Sequence, residues 1–80
     1  MRIQVRAFGI AKEIFNQSTV DVELSQDNTI GSLRAILENK YPRLKELGTY
    51  LIAVNKDYGE DKTILGLNDE IAIIPPVSGG

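Results

Sequence analysis

One stretch of this chain carries apolar residues at helical spacing for three turns, and it sits between two pairs of strand-like segments. Ile30, Leu33, Ile36, Leu37 and Tyr41 recur at i, i+3, i+4 intervals, while Arg34, Glu38 and Lys40 lie off that stripe. A helix with one apolar face must bury it against something, and here only strands are on offer. Asn28 or Thr29 supplies an N-cap for a start at Ile30, and Pro42 stops the helix because its ring and missing N–H cannot continue the ladder. Leu44 and Leu47 allow one further short turn that ends at Gly48.

Upstream, Arg2 to Phe8 alternates polar and apolar residues, placing Ile3, Val5 and Ala7 on one face and Arg2, Gln4, Arg6 and Phe8 on the other. Gly9 ends this strand. Ile10 and Ile14, at i,i+4, predict a short amphipathic helical turn, and Thr19 to Leu24 alternates again with Val20, Val22 and Leu24 inward. Downstream, Tyr50 to Val54 is an unbroken apolar run of strand length, which predicts cover on much of both faces. A polar loop from Lys56 to Lys62 follows, bordered by short edge strands. The final strand is Glu70 to Ile74, ended by Pro75-Pro76, which remove two successive backbone donors. The order strand, strand, helix, strand, strand predicts an α+β domain over residues 1–75, a mixed sheet of four to five strands packed on one main helix, with residues 76–80 as a flexible tail.

Eighty residues hold one domain and one core between two layers, without room for a deep enclosed pocket. Cys and His are both absent, which excludes disulfides, Cys/His zinc sites, thiolate-held clusters, Cys nucleophiles and imidazole bases. Nine Lys and Arg against eleven Asp and Glu give a net charge of −2, with the cations scattered. Nucleic acid is therefore a poor partner, since phosphate binding needs concentrated positive charge. The start of the chain lacks the apolar core of a signal peptide, and no apolar run reaches membrane-spanning length, so a cytoplasmic location without membrane contact is expected. Asp57, Glu60 and Asp61 lack the spacing of a calcium loop, and Ser18, Ser25, Ser32 and Ser78 have no base motif to activate them.

The segment that carries chemistry is Pro75-Pro76-Val77-Ser78-Gly79-Gly80. Extended, these residues reach about 20 Å at roughly 3.3 Å each. The prolines stiffen the base and lower the entropy lost on entering a partner, while Gly79 and Gly80 have no side chains and could pass a narrow channel. Two terminal glycines occur by chance in about 0.5% of chains, so Gly-Gly gains its weight from the stiff Pro-Pro before it. The useful group is the α-carboxylate of Gly80, ionised near neutrality because such groups have a pKa of about 3.3–3.7. A carboxylate resists attack until it is activated. Attack on the α-phosphorus of ATP would give an acyl-adenylate, and a sulfur donor could then leave a thiocarboxylate. The chain has no G-x-x-x-x-G-K-[ST] loop to handle ATP, so another protein must perform the activation.

The order of elements resembles the ubiquitin-like β-grasp fold, and the stretch from Val54-Asn55 through Leu67-Asn68-Asp69-Glu70-Ile71 to Gly79-Gly80 resembles the small, sulfur-carrying subunits of molybdopterin synthase, the MoaD family. Pro-Pro-Val-Ser before Gly-Gly is closer to that branch than to the thiamin-pathway carriers. Asn68 stands where the family often has Gly, and Asn tolerates the left-handed conformation. The resemblance implies that a MoeB-like, ubiquitin-activating-type adenylyltransferase consumes ATP to adenylate Gly80. The thiocarboxylated tail then enters a MoaE-like large catalytic subunit and gives sulfur to a pterin precursor in molybdenum cofactor biosynthesis. It implies Gly80 as the reacting residue, Gly79 as the channel-clearing one, and Pro75, Pro76, Val77 and Ser78 as tail contacts. A heterotetramer, no cofactor bound to this chain and no activity of the chain alone are further implications. By spacing, Phe8, Ile74 and Tyr58 read as ordinary exposed apolar residues; the resemblance implies that they pack on the large subunit. Arg2, Arg6 and Arg34 fit either an acidic face on the activating enzyme or plain surface charge. The alternative is a carrier or modifier for another acceptor, such as tRNA, another metabolite or lysine side chains.

Overall fold

In the computed structural model, which describes residues 1–24 and 27–75, strand β1 (Arg2–Ala7) forms the spine of the sheet. Its burial alternates strictly, with Ile3, Val5 and Ala7 inward. β1 pairs antiparallel with β2 (Thr19–Glu23) on one side and parallel with β5 (Ile71–Ile74) on the other. β5 in turn pairs antiparallel with β3 (Leu51–Val54), and β3 with the two-residue β4 (Asp57–Tyr58). The five strands run β2-β1-β5-β3-β4, with first and last long strands adjacent and parallel at the centre. This is the β-grasp arrangement, an α+β fold.

Helix α2 (Ile30–Lys40) lies across the inner face. The Thr29 hydroxyl accepts the Ser32 N–H at 3.2 Å, so of the two candidate caps Thr29 is the one used. Ile30, Leu33 and Leu37 are fully buried, whereas Ile36 is 37% exposed. At about 100° per residue, Ile36 falls roughly 100° away from the centre of the stripe made by the other three. Tyr41 caps the C-terminus, and Pro42 opens a 3₁₀ turn (Pro42–Leu47) that buries Leu44 and ends at Gly48.

Four expectations need correction. The short helix α1 (Ile10–Phe15) forms, but its buried residues are Ala11 and Phe15, with Ile14 only partly buried against the core and Ile10 37% exposed. Both pairs are spaced i,i+4 and differ by one rotation step. The side that wins lets a small alanine approach the sheet while Phe15 fills the gap to Tyr41, ring centroids 4.6 Å apart. β3 is not covered evenly on both faces: inward Ile52 and outward Ala53 are buried, but outward Leu51 is 48% exposed. Asn68 does not take a left-handed conformation. Its turn closes with the Asp69 N–H donating to the Gly66 carbonyl at 3.2 Å, and among the described residues the left-handed non-glycine ones are Asn16, Asn55 and Lys56. The edge strand after the third strand falls inside the loop expected from Lys56, and its counterpart beyond is a single bridge between Thr29 and Ile64.

Candidate docking face and tail root

The outer face of the sheet is set by strand register. Leu51 pairs with Ile74, Ala53 with Ala72 on one side and with Tyr58 on the other, and Ala72 also with Arg6. Because side chains alternate, these residues all point away from the helix. Ala53 and Ala72 face each other and are small, so they form a floor between the larger Phe8, Tyr58 and Ile74. The result is a shallow hollow of about 310 Å³, rimmed by Lys56 and Glu70. Phe8 is 48% and Tyr58 69% exposed. The structure therefore brings Phe8, Tyr58 and Ile74 around one hollow, with Leu51 beside Ile74. Nothing in the uniformly apolar run Tyr50–Val54 marks Leu51 as outward; only its pairing with Ile74 does.

Pro75 leaves the sheet beside this hollow. Gly9, at φ +56°, faces it so closely that a Cβ there would stand 3.2 Å from Pro75 Cγ. A second concavity of about 350 Å³, lined by Arg6, Phe8, Gly9, Lys12, Ser18 and Thr19, opens at the same end of β1. The proposed tail residues Pro76, Val77, Ser78, Gly79 and Gly80 lie outside the described residues.

Hydrogen bonds hold the rim in place. The Asn55 side chain donates to Asp69 Oδ1 at 2.9 Å and accepts the Glu70 N–H at 2.9 Å, while its own N–H donates to the Glu70 carbonyl at 2.7 Å. Asp69 Oδ2 accepts the Gly66 N–H at 2.7 Å. The hairpin turn and the turn before β5 are thereby one unit, a role for Asn55 and Asp69 that sequence reasoning missed. Arg6 pairs with Glu70 at 3.4 Å, and Arg34 with Asp61 at 3.3 Å while lying 5.0 Å over the Tyr50 ring. Both arginines thus have partners within the chain. Burial, and then the Glu38 carboxylate that accepts its hydroxyl, push the Tyr50 pKa upward, so Tyr50 acts as a donor and not as a base.

Among the described residues, Asp57, Glu60 and Asp61 do not converge with other ligating groups into a metal-binding set. Nor is any helix there long and apolar enough to cross a membrane.

The ThiS family pattern matches residues 5–80, nearly the whole chain. The chain belongs to the ThiS family. Within reach of this ThiS-family chain is the molybdopterin synthase sulfur carrier subunit of Mycobacterium tuberculosis, 34% identical, with 100% of this chain and 99% of the relative aligned. A solved structure of the complex of subunits 1 and 2 of the molybdopterin-converting factor from Helicobacter pylori contains a chain 33% identical, fully covered on both sides, at a TM-score of 0.71. The fold alone is shared with SAMP1 of Haloferax volcanii, 24% identical over the full length of both chains at a TM-score of 0.84. The shared fold agrees with the β-grasp order of strands.

Proposed function

We propose that this chain is the sulfur-carrier small subunit of a molybdopterin synthase, with Gly80 as its only reacting residue. The observation that carries the reading is the end-to-end similarity to named sulfur carrier subunits, joined to a Gly-Gly terminus directly behind the final strand. The chemistry follows from the carboxylate. Its oxygen attacks the α-phosphorus of ATP within a MoeB-like adenylyltransferase and pyrophosphate leaves. A sulfur nucleophile then displaces AMP, and Gly80 ends as a thiocarboxylate. The large, MoaE-like subunit receives the tail, the thiocarboxylate sulfur bonds to a carbon of the pterin precursor, and water cleaves the acyl–sulfur bond, leaving the sulfur on the precursor and the carboxylate on Gly80.

This chain supplies a handle and an address rather than a catalytic group. The hollow around Ala53 and Ala72 fits an apolar anchor of the large subunit, with Phe8, Tyr58, Ile74 and Leu51 as the contact area and Pro75 as the point of departure of the tail. The complex known for the Helicobacter pylori relative supports a partner of this class.

Incubation with the activating enzyme, ATP and a sulfur donor should raise the intact mass by the difference between sulfur and oxygen. Addition of the large subunit and precursor should return it to the starting mass. Deleting Gly79 and Gly80 should abolish both changes and leave the urea unfolding midpoint where it was, because the sheet is complete at Ile74. Lysine conjugates through Gly80, or sulfur delivered to tRNA with none to the pterin, would replace this reading by the carrier or modifier alternative.

A further inference from the structure

The β3–β4 hairpin turns on two residues, Asn55 and Lys56, at φ +54° and +73°. Positive φ at both central positions is the type I′ turn, whose twist matches the strands. Asn is suited to the first position. Glycine is the ordinary choice at the second, because any Cβ there crowds the backbone. The turn leaves Lys56 no choice of conformation, since Asn55 is tied to Asp69 and Glu70 by three hydrogen bonds. A residue selected for stability alone would be glycine. A left-handed lysine is therefore a stored strain that needs another explanation.

Its position supplies one. Lys56 stands on the rim of the outer hollow, beside Tyr58 and Glu70. The Glu70 carboxylate is already engaged by Arg6 at 3.4 Å, and among the described residues no carboxylate lies within ion-pairing distance of Lys56. The rim thus carries an unmatched ammonium next to an apolar floor, the arrangement of a binding patch with a charged border. We infer that Lys56 is a specificity contact, its ammonium pairing with a carboxylate that the large subunit presents at the edge of its docking surface. The inference rests on the docking role proposed above and adds the charge of the partner's side. A rim ion pair of this kind steers encounter and weakens with salt.

The strain and the charge are separable by substitution. Lys56→Gln keeps the left-handed side chain and removes the charge. It should leave Tm unchanged, weaken the Kd for the cognate large subunit about tenfold at low salt, and converge with the wild type at high salt. Lys56→Gly should bind as weakly as Lys56→Gln yet melt about 4–8 °C higher, as expected for relief of roughly one such strain in a domain this size. Opposite signs in stability and binding from one substitution are not the behaviour of a merely structural residue. Calorimetric titration at low and high salt, with thermal melts of each variant, gives both readouts. A wild-type Kd and salt slope in Lys56→Gln overturns the inference while leaving the docking role intact. Absence of binding by the wild type itself overturns both.

Discussion

Asn55 is the residue that ties the rim of the candidate site together, through hydrogen bonds to Asp69 and Glu70. Its side chain donates to Asp69, and this bond, followed by the Gly66 N–H, holds the Asp69 carboxyl below the usual aspartate pKa of 3.8. Asp27 is lowered too, by hydrogen bonds from Ser32 and then Thr29 at the start of α2. A depressed folded-state pKa contributes stability that is complete above the unfolded value and is lost as pH falls through the folded one. The wild type should therefore lose stability steadily below about pH 4. Asp69→Asn should be less stable than the wild type at neutral pH and less sensitive to acid. Urea midpoints at pH 7 and pH 3 test this; a constant offset between the two proteins would refute the linkage. None of this was visible beforehand, because Asn55 and Asp69 are separated by a loop that gives no pairing signal.

At the scale of elements, the helix and strands follow from periodicity, but the contact between α2 and the loop after β4 does not. Gly59 donates its N–H to the Ile52 carbonyl at 2.9 Å, and a Cβ on it would overlap Ile30 Cδ1. Ile30 is completely buried at the first turn of α2, so it has little freedom to retreat. Gly59→Ala should cost about 1–3 kcal/mol, the range for overpacking a filled core. Urea denaturation measures it, and an unchanged midpoint would mean that the loop yields without resistance. Gly59 was legible only as part of a polar loop; its role as a spacer required knowing which helix it meets. The α1 face was ambiguous for a related reason, since Ile10/Ile14 and Ala11/Phe15 fit helical spacing equally and only the size of the gap beneath them selects one.

For the whole molecule, a single sheet has two faces, one packed into the core and one proposed to dock. The inner one holds Val5, Ile52, Ile71 and Ile73 against α2 and the 3₁₀ turn. The outer one keeps Phe8, Leu51, Tyr58 and Ile74 available around an alanine floor. A change on the outer face should therefore affect association and spare folding. Leu51→Arg, at a site 48% exposed, should leave the unfolding free energy from urea denaturation within about 0.5 kcal/mol of the wild type and reduce binding to the large subunit at least tenfold. Equal binding by Leu51→Arg and the wild type would move the interface elsewhere on the surface.

The sequence by itself determined the helix, the alternating strands, the inward residues of β1 and β2 and the Gly-Gly terminus, since each is a local pattern of spacing or of backbone freedom. Its resemblance to sulfur carriers also pointed to the family. Only the tertiary structure decided that β5 lies between β1 and β3: the parallel pairing with β1 brings Phe8 to the hollow and seats Pro75 against Gly9, and the antiparallel pairing with β3 adds Leu51. The reason is physical: periodicity states which way a side chain points from its own strand, whereas a binding face is made by neighbours whose register is set by contacts far apart in the chain.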